Sequence, residues 1–409
     1  MATDLSTSEV TLQRRLGRVY AIFASSCPSL NTDKRGKGKK LRDWLKAAYV
    51  RYEETENLPG LPTTSDFGAG YTASVGTIQK QGISEDFYVK PPIINSCYNE
   101  ILKSGCLLRI KASWRMGKTE LMSRVLNYAI NQGYRTAVLN LRDATTTDFS
   151  DLNQFLKWFC TSVTISIIQE PLLTNPVDEH WDNSIGNSKN KCKTYFEKYL
   201  LPGERPLALA LDEVDRVFHY QEIAREFLGM LRTRHEDAKT RPIWGKLRQV
   251  LVYTEDYREI DINQSPFNAG IAIELPELSH EQVQDLVRQY GLDWDSNQVN
   301  QLIDMVGGHP YLVKEAIKNV MQEIMTLNEL LEKAPSRAGI YSEYLQRYWR
   351  RLQQSQDLAT AFHQIVMADV PVELNSEWAD KLYDLGLVKF ENSGVIPRYE
   401  LYRQYFRSR

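Results

Sequence analysis

Leu107-Leu108-Arg109-Ile110-Lys111-Ala112-Ser113-Trp114-Arg115-Met116-Gly117-Lys118-Thr119 is the stretch that decides how this chain is read. Its apolar start predicts a buried strand, and Glu120-Leu121-Met122-Ser123-Arg124-Val125-Leu126 after it has helical spacing. Strand, loop, Gly-Lys-Thr, helix is the context of a phosphate-binding loop. Backbone N–H groups at such a loop and helix start point at an anion, and the helix dipole favours negative charge there. Ala112, Ser113, Arg115, Met116, Gly117, Lys118, Thr119 and Glu120 are therefore expected to surround nucleotide phosphates. Lys118 would reach the β- and γ-phosphates, and the Thr119 hydroxyl would hold Mg²⁺. The usual pattern opens with Gly where this chain has Ala112. A methyl group restricts the backbone, so a slightly reshaped loop is expected. The competing reading is a chance Gly-Lys-Thr at an ordinary helix start.

A second motif displaces that reading. Leu207-Ala208-Leu209-Ala210-Leu211-Asp212-Glu213-Val214-Asp215 is an apolar strand that ends in acids, downstream of another apolar run at Thr136–Leu141. Such a strand places its carboxylates at the C-terminal edge of a parallel sheet, where ligands of open α/β sheets bind. Asp212 would bind Mg²⁺, and Glu213 would orient or polarise an attacking water. Lys118 and Glu213 are thus the candidate catalytic residues, and Thr119 and Asp212 the candidate metal ligands.

The chain has 409 residues, enough for two or three domains. A net charge of −2 gives the whole molecule no nucleic-acid signature. No apolar run is long enough to span a bilayer, and Met1-Ala2-Thr3-Asp4 does not begin a secretory signal. Cys27, Cys97, Cys106, Cys160 and Cys192 have no zinc or disulfide spacing, so reduced thiols and a cytoplasmic protein are expected.

Five regions are expected along the chain. Residues 1–58 read as a small helical module, with Leu12, Leu16, Val19 and Phe23 on one helix and Leu41, Trp44, Leu45 and Ala48 on another. The basic run Lys34–Lys40 between them is broken by Gly36 and Gly38 and reads as a solvated loop rather than a nucleic-acid contact. Residues 59–86 read as a flexible linker rich in Gly, Ser and Thr. Residues 87–278 form the α/β nucleotide domain. Within it Pro171–Lys191 is expected to be an irregular insertion, and Asn263–Ile273 a loop. Residues 279–350 form a helical lid, in which Ser279 and Gln282 make a capping box. Residues 351–409 pair two helices with a hairpin, Leu387–Phe390 and Val395–Arg398, as in a winged helix. Its candidate recognition helix, from Ser376, is acidic at its start, which opposes a phosphate backbone.

Several stretches carry a resemblance: Tyr88–Ile93, the loop through Thr119, Ala210–Asp215, Asp261–Asn268, Gly307-Gly308-His309-Pro310-Tyr311-Leu312 and Pro397–Tyr402. Together they resemble the AAA-like ATPase domain common in cyanobacterial multidomain proteins. That family is similar to the signal-transduction ATPases with numerous domains (STAND). The resemblance implies that Pro310 packs against adenine, that His309 approaches phosphate and that Thr254 reads the γ-phosphate. It also implies that Ala112 is tolerated and that Tyr88–Ile94 can line an adenine pocket. Arg225, Arg232 and Arg234 would be candidate fingers toward a neighbouring copy, although surface salt bridging is the favoured reading. The implied activity is a slow ATPase switch using ATP/ADP and Mg²⁺. Its partners would be a protein docked on the N-terminal module and a second copy of the chain, with DNA less favoured and no membrane. A DNA-associated ATPase and a nucleotide-binding scaffold without turnover are the alternatives. No Asn-Lys-x-Asp guanine motif is present, which favours adenine.

Overall fold

Alternation along the strands shows why a sheet forms here. Leu207, Leu209 and Leu211 of one strand enter a core on one face, while Ala208 and Ala210 enter a separate core on the other. Leu247, Leu251 and Tyr253 divide from Val250 and Val252 in the same way. A side-chain period of two with both faces apolar is what a parallel sheet covered by helices requires.

The computed structural model describes residues 88–168, 175–254, 264–392 and 394–408, which lie within one compact unit, Gly76–Arg409. The expected N-terminal helices, the basic run, Cys27 and the linker lie outside the described residues.

Helix α1 (Ile94–Ile101) leads to strand β1 (Leu107–Lys111), which feeds the phosphate loop and helix α2 (Lys118–Asn131). Strand β2 (Arg135–Asn140), helices α3 (Leu152–Ile167), α4 (Pro176–Asn183) and α5 (Ser188–Tyr195), and strand β3 (Leu207–Asp212) follow. Helix α6 (Gln221–Asp237) and strands β4 (Leu247–Tyr253) and β5 (Ile271–Glu274) complete the sheet. All its pairings are parallel, in the order β2-β3-β4-β1-β5. β4 therefore lies between β1 and β3, and its end at Tyr253 brings Thr254 between the loop and the acids.

Three sequence expectations are corrected. Within Pro171–Lys191, residues 176–183 form α4 and α5 begins at Ser188. Asn175 and Asn187 cap these helices, and Val177 and Trp181 are buried against the sheet's core. Asn263–Ile273 is not loop throughout, because β5 begins at Ile271 and pairs with β1. The strand before the acids stops at Asp212, since Glu213 adopts φ 56° and a 3₁₀ turn starts at Val214.

The chain continues through α7 (His280–Gln289), α8 (Ser296–Val306), α9 (Pro310–Met321), α10 (Leu327–Lys333) and α11 (Ser342–Leu352). Helices α12 (Gln356–Met367) and α13 (Ser376–Asp384), the antiparallel hairpin β6 (Val388–Glu391) and β7 (Gly394–Pro397), and α14 (Glu400–Arg407) follow. The capping box at Ser279 has both of its hydrogen bonds. Residues from Val283 to Phe406 share one apolar core, and Trp114 of the phosphate loop packs against it. Cys97, Cys106, Cys160 and Cys192 are free and buried. Among the described residues no helix is long and apolar enough to cross a membrane.

Candidate nucleotide site

The phosphate loop turns on two residues with positive φ, Arg115 at 63° and Gly117 at 95°. Ala112 is not among the positive-φ residues, so its methyl group meets no conformational penalty there. Gly117 immediately precedes α2, which starts at Lys118. Lys118 Nζ donates to the carbonyls of Ala112 (2.7 Å) and Ser113 (3.0 Å) and to Thr254 Oγ1 (3.2 Å). Thr119 Oγ1 donates to Asp212 Oδ2 at 2.9 Å, which ties the start of α2 to the end of β3. Asp212 Oδ1 accepts from the Glu213 amide at 2.9 Å.

Glu213 Oε2 lies 2.8 Å from Arg142 Nη2, just beyond β2. Burial raises the Glu213 pKa, and Arg142 partly offsets it. Asp215 accepts from the Thr254 amide through both oxygens, at 2.8 and 3.0 Å, and so fixes the end of β4. Burial likewise raises the Asp215 pKa. Burial lowers the Lys118 pKa, and Asp215, Glu213 and Asp212 oppose that shift. Carboxylates and ammonium thus stabilise one another in a partly dehydrated cluster.

Two cavities of similar volume meet at this cluster, about 870 and about 840 Å³. Lys118, Glu213 and Trp114 line both. The first also takes in Arg115, Met116, Gly117, Thr119, Glu120 and Asp212, and extends past Tyr88, Pro91, Pro310 and Tyr311. The second contains Thr254 and runs between Asp215 and the arginines of α11.

Three of the expected nucleotide contacts line neither cavity: Ala112, Ser113 and His309. Ser113 is covered by Gly386, where an added Cβ would lie 2.5 Å from Ser113 Cβ. His309 caps α9 and is only 1% exposed. Its Nδ1 accepts from the Leu312 amide at 3.5 Å, and its Nε2 lies 3.2 Å from the Trp114 carbonyl and 3.1 Å from Tyr344 Oη. Burial lowers its pKa to about 4, so the ring is neutral. His309 therefore braces the loop from behind, and its ring does not reach the cavity where phosphate is expected. The candidate finger arginines of α6 are partly engaged within the chain. Arg234 pairs with Asp237 at 2.9 Å and Arg232 with Glu236 at 2.6 Å, whereas Arg225 is exposed.

Sequence reasoning missed how strongly the C-terminal helices hold the loop. The Trp114 ring stacks on Tyr344 (5.1 Å between centroids) and lies under the Arg347 guanidinium at 4.1 Å. Lys111 pairs with Asp384 at 2.9 Å. Glu277 accepts from Arg398 Nε (2.8 Å), Tyr399 Oη (2.9 Å) and the Gly308 amide (3.0 Å). Burial works against the Glu277 carboxylate, yet these donors hold its pKa below the usual value. An aromatic inside the loop, Trp114, was the available signal: a bulky apolar side chain there needs a surface to cover it.

No curated protein matches the chain. Among solved structures, the Walker-type ATPase of Pyrococcus abyssi is 13% identical with a TM-score of 0.52, covering 79% of this chain and 99% of that one. The Aeropyrum pernix ORC2 protein, solved in ADPNP–ADP complexes, is 16% identical with a TM-score of 0.46, covering 79% and 97%. A STAND protein with a tetratricopeptide repeat sensor from Pyrococcus horikoshii is 12% identical with a TM-score of 0.33, covering 78% and 42%. At these identities the first likeness speaks for the fold alone. Residues 77–408 match the family described as an AAA-like domain, and the chain belongs to that family.

Proposed function

We propose that this chain binds ATP and ADP with Mg²⁺, hydrolyses ATP slowly and uses the nucleotide as a conformational switch. The observation that carries this reading is the convergence of Lys118, Thr119, Asp212, Glu213 and Thr254 at the C-terminal ends of β1, β3 and β4. Lys118 neutralises the phosphates, and the amides from Arg115 to Thr119 cradle them. Pro310 and Tyr88 lie in the same cavity, on the side proposed for the base.

The metal's donor set fits Mg²⁺. The Thr119 hydroxyl and Asp212 carboxylate are hard oxygen donors side by side. Among the described residues no group of three or more His, Cys, Asp or Glu forms a cage. Mg²⁺ would therefore rely on phosphate oxygens and water for its remaining ligands. When bound it would neutralise charge on the phosphates. Glu213 is the residue proposed to orient water, and Arg142 holds its carboxylate at 2.8 Å.

The switch reading rests on the covering of the loop by the C-terminal helices through Trp114, Lys111–Asp384 and Ser113–Gly386. A nucleotide that needs the loop reshaped would bind the covered and uncovered states differently, which is what a switch requires. In this reading residues 279–350 act as a lid and 351–409 as a winged-helix arm. Residues 1–58 dock a protein partner, residues 59–86 link that module to the rest, and self-association accompanies opening. DNA is the less favoured partner.

The test is nucleotide content and turnover of the purified chain beside Glu213→Gln. Retained adenine nucleotide, slow turnover and a fall of about 100-fold or more in the variant are expected. Turnover equal in both proteins would remove Glu213 from the chemistry, and an absence of any nucleotide binding would remove the function.

A further inference from the structure

Glu213 leaves β3 in the left-handed region, at φ 56°, a conformation that L side chains adopt rarely. The kink starts the 3₁₀ turn Val214–His219, whose Val214 and Val217 are buried in the sheet's core. Asp215, next after Val214, is thereby brought against the end of β4. β3 stays paired with β4 only as far as Leu251, whereas β4 continues to Tyr253. The Thr254 amide lies past that ladder, and it donates to Asp215 Oδ1 and Oδ2 at 2.8 and 3.0 Å. A side-chain carboxylate takes the place of a strand carbonyl there, and an ionised acceptor makes the stronger bond.

The residue held in this way is the one that meets Lys118. Thr254 Oγ1 accepts from Lys118 Nζ at 3.2 Å, which leaves its own O–H to donate. The ammonium also donates to the carbonyls of Ala112 and Ser113. Of the three acids that favour the charged form of Lys118, Asp215 acts most strongly, ahead of Glu213 and Asp212. Burial works against the Asp215 carboxylate, whereas the Thr254 amide, Lys118 and Arg351 favour it. Asp215, Thr254 and Lys118 are thus linked in one line from the turn after β3, across the end of β4, to the start of α2.

We infer that Asp215 is a positioning residue for ATP hydrolysis: it fixes the Thr254 hydroxyl beside the Lys118 ammonium, so that both present donors to the transferred phosphoryl group. This rests on the nucleotide reading above and gives a role to an acid outside the phosphate loop, the metal pair and the water-orienting Glu213. Asp215 acts through Thr254 and need not touch the nucleotide. Without it the Thr254 amide loses its acceptor, the end of β4 loosens, and hydroxyl and ammonium lose their mutual alignment. The amides of the phosphate loop are left in place, so the grip on the bound nucleotide survives. Alignment that matters as charge develops shows in kcat more than in KM.

The experiment measures steady-state hydrolysis of Mg²⁺–ATP by the full chain. The proteins are the wild type, Asp215→Ala, Asp215→Asn, Thr254→Ala and the two double variants, each checked by thermal melting. Asp215→Ala is expected to lower kcat about 10- to 100-fold, the loss of a charge-assisted hydrogen bond, while KM moves by less than about threefold. Asp215→Asn keeps one acceptor oxygen and should recover part of the loss. In the Thr254→Ala background each Asp215 change should cost at least about threefold less than in the wild type, because residues that act through one another are not additive. Losses that simply add would mean that Asp215 acts on the fold and not through Thr254, and an unchanged kcat would mean that it positions nothing. Either result overturns this inference and leaves Lys118, Asp212 and Glu213 in their proposed roles. Should Asp215→Ala fail to fold, the Asp215→Asn pair completes the same cycle. If the wild type hydrolyses no ATP, the hydrolysis reading fails and this inference falls with it.

Discussion

The two cavities that meet at Lys118 have similar volumes and opposite characters. The first is built by the phosphate loop and walled by Tyr88, Pro91, Pro310 and Tyr311, a lining suited to a flat apolar base with phosphates at one end. The second lies between α11 and α13 on one side and Glu213, Asp215, Arg216 and Thr254 on the other, and is lined by arginines and acids. The difference teaches that the loop provides for only one side of the site. The other side comes from helices nearly 230 residues further along the chain, as the step from Lys118 to Arg347 shows. Lys118 and Glu213, which line both cavities, and Thr119 and Asp212, which line the first, should therefore affect nucleotide binding or turnover, and groups that only brace the loop should affect stability.

The metal pair gives the largest effect. Thr119→Ala or Asp212→Ala removes one hard oxygen donor from the first cavity. Turnover with Mg²⁺ is expected to fall by about 100-fold or more, on the scale of losing a positioned charge in phosphoryl transfer. Titrating Mg²⁺ against turnover checks this, and a variant with an unaltered Mg²⁺ dependence would place the metal elsewhere.

Acidification should act through the brace behind the loop. His309 has its pKa depressed by burial from 6.5 to about 4. The unfolded chain therefore takes up a proton before the folded one as the pH falls. The stability from the neutral ring is complete above about pH 6.5 and is lost progressively toward pH 4, with about 3 kcal/mol at stake. Thermal melts at pH 7 and pH 5 should separate in the wild type and separate less in His309→Gln. An identical acid response in both would mean that other groups govern it.

Gly386→Ala is the smallest of these perturbations. Gly386 has φ +79°, and a Cβ would sit 2.5 Å from Ser113 Cβ. Overpacking and backbone strain together should cost on the order of 2 kcal/mol and push the C-terminal helices off the loop. A lowered melting temperature with unchanged or tighter nucleotide binding is expected. An unchanged melting temperature would show that the contact is not tightly held.

Much of the first cavity was legible in the sequence because local spacing encodes it. Gly117-Lys118-Thr119 between a strand and a helix, and Asp212-Glu213 after alternating Leu and Ala, are patterns whose physics is contained in a few neighbouring residues. The order of the strands was not legible, since nothing local says that β4 inserts between β1 and β3. β5 was missed because it is an edge strand with Ile273 as its one buried side chain, which leaves no apolar period to read. Helix α4 had a readable start in Asn175-Pro176, a cap followed by proline in the first turn, but its polar surface masked the buried Val177 and Trp181. The second cavity was illegible for a different reason. Arg347, Arg350 and Arg351 read as the solvated face of an amphipathic helix until tertiary packing turns that face toward Glu213 and Asp215.

Titrating ATP and ADP in the presence of Mg²⁺ into the full chain and into Lys118→Ala tests the central claim most directly. The account predicts saturable binding by the wild type and a loss of about 10- to 100-fold or more in the variant, because a charge-assisted contact at the junction of both cavities is gone. Binding that is absent from the wild type, or equally strong in the variant, would contradict it.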